Sequence, residues 1–292
     1  MNFISKLGPG LLYAGAAIGV SHLVQSTRAG AAFGVDLIIA VILVHVLKYG
    51  FFKAAAVYTL EQNEDLVSGY RKISRAALLI FLLMSLLTMH IVIAAIALVS
   101  AGLFSNLFNL NALGIPGTSA LLLILAFVIL LKGQVSYLSK YLKWMVLALS
   151  LATLLCVLLQ VNTIFQLFQN FPGFSFSFSD SAHVLFLLAF LGWMPAPMDI
   201  TVWQSIWIMD SEREKTAKER LFDFNAGYWG TAVMAILFIL LGAAVFFQKS
   251  VVLQDSPVGF MGQFLSLYAQ TLGSWVYPIV AFCALATMIS TL

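Results

Sequence analysis

Apolar residues fill this chain in long unbroken runs, with neither the alternation of a half-buried strand nor the one-sided stripe of a soluble helix. Eight such runs can be drawn, near 8–34, 36–60, 76–103, 115–132, 140–161, 183–208, 226–248 and 268–292. Most reach the roughly 20 residues that a helix needs to cross a bilayer. Polar stretches mark the connections: EQNEDLVSGYRKISR after the second run, the uncharged FSNLFNLNALGIPG after the third, and QNFPGFSFSFSDS before the sixth. DSEREKTAKERLFD, after the sixth, is expected to form a short amphipathic helix. The pattern predicts an all-α membrane protein with a single transmembrane domain over 1–292.

Two of the runs are interrupted. The first, GPGLLYAGAAIGVSHLVQSTRAGAAFG from Gly8 to Gly34, carries Gly19-Val20-Ser21-His22 at its middle and Arg28 further on. Gly and Ser weaken a helix, and a charge at the midplane costs about 2.5–3.5 kcal/mol. The sixth contains LGWMPAPMDITVWQS, where Pro195 and Pro197 remove backbone donors and Asp199 places a carboxylate at membrane depth. Two interrupted helices, one early and one five helices later, point to a transporter site at the midplane.

Composition narrows the class further. The 292 residues are 62% apolar and 9% charged, more apolar surface than a soluble domain of this size can hide. The formal charge of +3 gives no nucleic-acid patch, because the basic residues lie between the runs. Cys156 and Cys283 sit inside apolar runs and read as core residues. Lys6 and the run after it imitate a signal peptide, but the run is long and more follow, so it reads as the first helix. No P-loop, HExxH, Gly-x-Ser-x-Gly or Cys/His cluster is present, which argues against an enzyme and leaves no cofactor to assign.

The lysine and arginine bias sets the expected orientation. Starting inside, the inner positions take Lys6, Lys48, Lys53, Arg71, Lys72, Arg75, Lys132, Lys140, Lys143, Arg213, Lys215, Lys218 and Arg220, and Lys249 falls outside. The expected location is the inner (plasma) membrane with a cytoplasmic N-terminus. The last run stops at ATMISTL without a polar flank, which is expected of a chain cut short.

Few residues could carry chemistry. His22 is a candidate ligand or proton carrier, or a histidine bonded to a neighbouring helix. Asp199, the carboxylate inside a run, either handles a cation or proton or caps the second half of the sixth helix through the amides of Val202 or Gln204. His90 is a candidate proton relay or a packed core histidine. Arg28 is expected to pair with Asp199, His90 or helix carbonyls, or to snorkel. His45 and His183 lie near the ends of runs and carry little weight. Trp203, Trp207, Tyr228, Trp229, Trp275 and Tyr277 fit interface belts, while Trp193 stands beside the Pro-rich break and is expected to wall a site.

The chain resembles the NRAMP family of proton-coupled divalent-metal transporters. The resemblance rests on GPGLLYAGAAIGVSHLVQSTRAGAAFG, EDLVSGYRK, FDFNAGYWGTA and ATMISTL, and so covers nearly the whole chain. It implies a LeuT-like fold of inverted five-helix repeats, here 8–161 and an incomplete 183–292, with helices one and six broken and eight of a usual eleven helices present. It also implies alternating access and a site at Gly19, Ser21, His22, Trp193, Ala196 and Asp199, with His22 and Asp199 as metal ligands and His90 and Arg28 linked to proton movement. The departures are specific. The family's first-helix Asp and Asn ligands correspond to Gly19 and His22, its Met thioether to Ala196, and the acidic residue of its third helix to His90. Losing the thioether removes a bias towards manganese and iron, as in the magnesium-transporting branch, although that branch keeps the first-helix Asp. A divalent cation is therefore the first expected substrate, with hydrated magnesium included. An amino acid or small organic cation is the alternative, and a membrane scaffold or sensor that does not transport is a third reading. The oligomeric state is left open.

Overall fold

The computed structural model describes residues 8–109, 112–131, 135–170, 173–210 and 216–292; of 135–140 it describes the backbone alone. Lys6, Lys132, Arg213 and Lys215 therefore lie outside the described residues, as does the side chain of Lys140.

Every regular element among the described residues is helical. In chain order these are α1 (Pro9–Ala17), a π-helical stretch (Val20–Ser26), α2 (Thr27–Phe33), α3 (Ile38–Gln62), α4 (Leu66–Ile73), α5 (Arg75–Phe108), α6 (Gly114–Leu131), α7 (Val135–Leu159) and α8 (Val161–Gln169). There follow α9 (Ser181–Trp193), α10 (Ile200–Asp210), α11 (Ala217–Gly242) running into a second π-helical stretch (Ala243–Phe247), α12 (Pro257–Leu272) and α13 (Val276–Thr291). Five of the helices, over 38–62, 75–108, 114–131, 141–159 and 217–247, are long and apolar enough to cross a membrane. The chain is an all-α, multi-pass membrane protein by the length and composition of its helices.

Some boundaries differ from those expected. The third run extends to Phe108, because the Asn106 amide finds acceptors inside the protein, at Gly102 O (2.8 Å) and Val258 O (2.8 Å). The run drawn as 268–292 is two helices. Ser256 caps α12 by accepting from Gly259 N, Pro257 opens it, and Gly273, at φ +99°, ends it before α13 begins. The stretch expected as a separate amphipathic helix enters α11 from residue 217, through a capping box between Thr216 and Glu219; 211–215 lie outside the described residues.

Helix α11 is the central element. Two thirds of the apolar window in 217–247 (67%) is buried inside the protein, against 6% for α5, whose Leu79, Ile80, Leu83, Leu87 and Ile91 face outwards as a lipid-facing helix requires. Against α11 lies the first interrupted helix, at two points where glycine brings backbones together. A Cβ on Gly10 would meet Asp223 O at 1.9 Å and one on Gly227 would meet Gly10 O at 2.2 Å; higher up, one on Gly30 would meet Ile239 O at 2.0 Å. Small residues permit this approach where burial of apolar surface cannot drive association. Asp223 then fastens the start of α1, accepting from Gly8 N and Gly10 N at 2.8 Å each.

Candidate functional site

Helix one stops at Ala17. Gly19 N turns back to Ala17 O (2.8 Å), and the chain resumes in π-helical form at Val20. The second interrupted helix stops at Trp193, passes through Met194-Pro195-Ala196-Pro197-Met198-Asp199, and resumes at Ile200. The proline rings explain the gap, since neither nitrogen can donate to a helical ladder. The two interrupted helices pack against each other, α10 on α1 and α9 on the π-helical stretch, so they run antiparallel with their breaks side by side. Ala17 and Ala196, one from each break, belong to the same buried cluster.

His22 is fully buried at the first break. Its Nε2 lies 3.1 Å from Thr231 O, which can only accept, so Nε2 carries a hydrogen. Its Nδ1 lies 2.8 Å from Ser21 Oγ, and the same hydroxyl reaches Ala17 O at 3.1 Å. One hydroxyl proton serves both arrangements. With a neutral ring the hydroxyl donates to Nδ1; with a doubly protonated ring Nδ1–H donates to Ser21 Oγ, and the hydroxyl turns to Ala17 O. Both ring nitrogens are thus bonded within the protein whichever way that hydroxyl turns.

From Thr231 the polar row continues into α3. His45 is fully buried, with Nδ1 2.8 Å from Val41 O and Nε2 3.5 Å from Thr231 Oγ1. Tyr228, also fully buried, donates to His45 O at 2.7 Å and belongs to an aromatic cluster with Tyr13, Tyr49, Phe52 and Phe224. It is therefore a core residue, not part of an interface belt. One turn beyond His45, Lys48 lies against the second break. The signal was present in the sequence: Val41, His45, Lys48, Phe52 and Ala56 recur at helical spacing on one face of α3.

The remaining candidates are spread wider. Asp199 is half-buried at the opening of α10, where its backbone carbonyl accepts from Val202 N (2.9 Å) and Trp203 N (3.2 Å), so its carboxylate is not the cap of the Val202 amide. Trp193 is partly buried against the main core cluster and Ala196 is buried. Gly19 faces α13: a Cβ there would meet Thr291 Oγ1 at 3.8 Å and Met288 Sδ at 4.0 Å. Those two residues bring a hydroxyl and a thioether to the first break; the ATMISTL segment was the signal, but no individual residue in it stood out. Arg28 points away from both breaks, donating to Gln254 O (3.1 Å) and lying over the Phe260 ring at 4.8 Å, so a loop carbonyl holds it and not Asp199 or His90. His90 is exposed, its Nδ1 bonded to Leu86 O one turn back. His183 lies beside Asp180 at 3.7 Å, at the start of α9.

Among the described residues no three His, Cys, Asp or Glu side chains gather as a metal cluster. Cys156 and Cys283 are buried free thiols. Between α1 and α10 the protein leaves polar groups unmatched: Tyr13 Oη and both ends of the Gln204 amide are buried with no hydrogen-bond partner among the described residues. Gln204 shares a helix face with Ile200 and Ile208, which pack with Tyr13.

No protein-family model matches the chain. It is 33% identical over 291 residues to an uncharacterized protein of Pasteurella multocida (strain Pm70), a match that covers 98% of this chain and 67% of that protein. The chain belongs to the family of that Pasteurella multocida protein.

Proposed function

We propose that the protein is an ion-coupled secondary transporter, NRAMP-like, with its substrate held between the two helix breaks and moved by alternating access. The reading is carried by one observation: two interrupted helices lie antiparallel with their breaks together and a buried polar row beside them. Interrupted backbone at membrane depth is tolerated where it lines a cavity or is buried in protein, and paired breaks are where transporters bind. Unmatched polar groups at Tyr13 and Gln204 add to it, since a path for a polar solute needs partners that the protein does not use itself. In this reading 8–161 and 183–292 are the inverted repeats of a LeuT-like fold, and the N-terminus is cytoplasmic in the inner membrane.

The first substrate is a divalent cation of the magnesium or manganese class. Asp199, the carbonyls near Gly19 and Ala196, and the Met288 thioether and Thr291 hydroxyl supply its ligands directly or through water, and His22 joins them only when Nδ1 exchanges the Ser21 hydroxyl for the ion. Proton coupling falls to His22, whose partners accommodate both protonation states. A second reading, an amino acid or small organic cation, is favoured by the fact that both His22 nitrogens already have protein partners.

Uptake of manganese, magnesium and calcium into liposomes, with a pH dye inside, tests the proposal. Wild type should take up at least one metal, with Asp199→Ala reducing the rate tenfold or more, roughly the worth of one charged ligand interaction. Undiminished uptake by Asp199→Ala would show the site to be misplaced. Absence of uptake for all three metals would sink the metal reading and leave the organic one to be tested with amino acids and amines.

A further inference from the structure

The C-terminal end of α9 is a concentration of unmatched acceptors. The last carbonyls of any helix lack intrahelical partners and carry about half a negative charge. Here the Pro-rich break prevents the next turn from supplying amides, and α9 has no basic residue of its own in its last turn. In hydrocarbon surroundings such carbonyls need a cation or donors from elsewhere.

Lys48 of α3 meets that need. Its Nζ donates to Met194 O at 2.7 Å, Leu191 O at 2.8 Å and Gly192 O at 3.3 Å. An ammonium has three hydrogens and no more, so its whole donor capacity goes to one helix end. Among the described residues no carboxylate pairs with it. Three carbonyl oxygens gathered on one positive centre form the kind of cage that elsewhere replaces the hydration shell of a free monovalent ion.

We propose that the Lys48 ammonium is the resident cation of the break after α9, covalently tethered where a free monovalent cation would otherwise be bound. The break then needs no sodium or potassium to stay formed, and any ion that couples to transport acts elsewhere. The inference stands on the carbonyl cage and does not depend on the transport reading.

The test uses the whole chain in detergent, with melting temperatures measured in choline, sodium and methylammonium chloride at equal ionic strength. Wild type should melt at one temperature in all three. Lys48→Ala should melt lower in choline and recover in sodium or methylammonium, which can enter the space left by the side chain. Lys48→Met, which keeps bulk without charge, should melt lower in every salt. A Lys48→Ala protein that responds to the salts as wild type does, or a Lys48→Met protein as stable as wild type, would overturn the assignment. If Lys48→Ala does not fold, hydrogen exchange over 191–199 decides between the charged Lys48→Arg and the neutral Lys48→Gln. Exchange about tenfold faster in Lys48→Gln, with Lys48→Arg near wild type, is expected for loss of charge-assisted bonds. Equal exchange in the two variants would overturn it.

Discussion

Replacing Gly227 by alanine tests how tightly the first helix is locked to α11. The new Cβ would lie 2.2 Å from Gly10 O, about 1 Å short of an ordinary carbon–oxygen contact of roughly 3.3 Å. Neither side can yield locally, because both are helix backbone. The helices must therefore part by about 1 Å, and that carries the Asp223 carboxylate away from Gly8 N and Gly10 N. Bonds now at 2.8 Å would stretch to about 3.8 Å, past hydrogen-bonding range. Overpacking costs about 1–3 kcal/mol, and weakening charge-assisted bonds adds about 1–3 kcal/mol. Alanine returns about 1 kcal/mol through helix propensity, so the expected net loss is about 1–5 kcal/mol. Gly230 is the control. It stands three residues away on the same helix with nothing within 4 Å of its added Cβ, and Gly230→Ala should be neutral or stabilising by up to about 1 kcal/mol. Thermal unfolding in detergent, followed by helical circular dichroism, should lower the melting temperature of Gly227→Ala and leave that of Gly230→Ala unchanged or raised. A Gly227→Ala protein as stable as Gly230→Ala would refute the close backbone contact.

Two further predictions concern the polar anchors. Asp223→Ala removes both acceptors at the start of α1 and should destabilise the protein by about 2–4 kcal/mol, with 8–17 the first segment to gain hydrogen exchange. In the loop before α4, the Ser68 amide above all holds the Asp65 carboxyl below the usual carboxylate range. Its contribution is therefore complete above the unfolded value near 3.9 and is lost as pH falls through the lower folded value. Intrinsic-rate-corrected exchange of 66–73 should show protection at pH about 6 that declines below pH about 4, while Asp65→Ala shows low protection and no step. A wild-type protein without that step would contradict the cap.

Run length made the long helices legible, the prolines of 194–199 the second interruption and Gly19-Val20-Ser21-His22 the first, because an apolar run reports bilayer thickness, a missing amide ends a ladder and Gly and Ser weaken a helix. What stayed hidden was which polar residues find partners inside. Asn106 and Ser256 lie between apolar runs in sequence, yet the first lies within a helix and the second opens another. At the candidate site, His22 and Trp193 stand out in sequence by their place beside the breaks, and Ala196 through the resemblance. His45 and Lys48 share a face of α3 by their spacing, but a charge near the end of an apolar run is normally an interfacial flank, so the spacing alone does not single them out. Only the carbonyls of Leu191, Gly192 and Met194, more than a hundred residues away in the chain, turn Lys48 into an inward-facing residue. Met288 and Thr291 are distant in the same way: a thioether in an apolar helix says nothing until a glycine is seen opposite it.

The interruption in the first helix also solves a problem of phase. Gly10 and Gly30 both press against α11, yet they stand twenty residues apart. At about 100° per residue an unbroken α-helix would rotate one from the other by about 200°, leaving them on nearly opposite faces. The irregular step at Ile18-Gly19 and the wider turns from Val20 to Ser26 take up that difference. One helix can then show its narrow edge to the same neighbour on both sides of the gap. Straightening it would rejoin the break beside His22 and, in the same motion, turn a glycine seam into a clash.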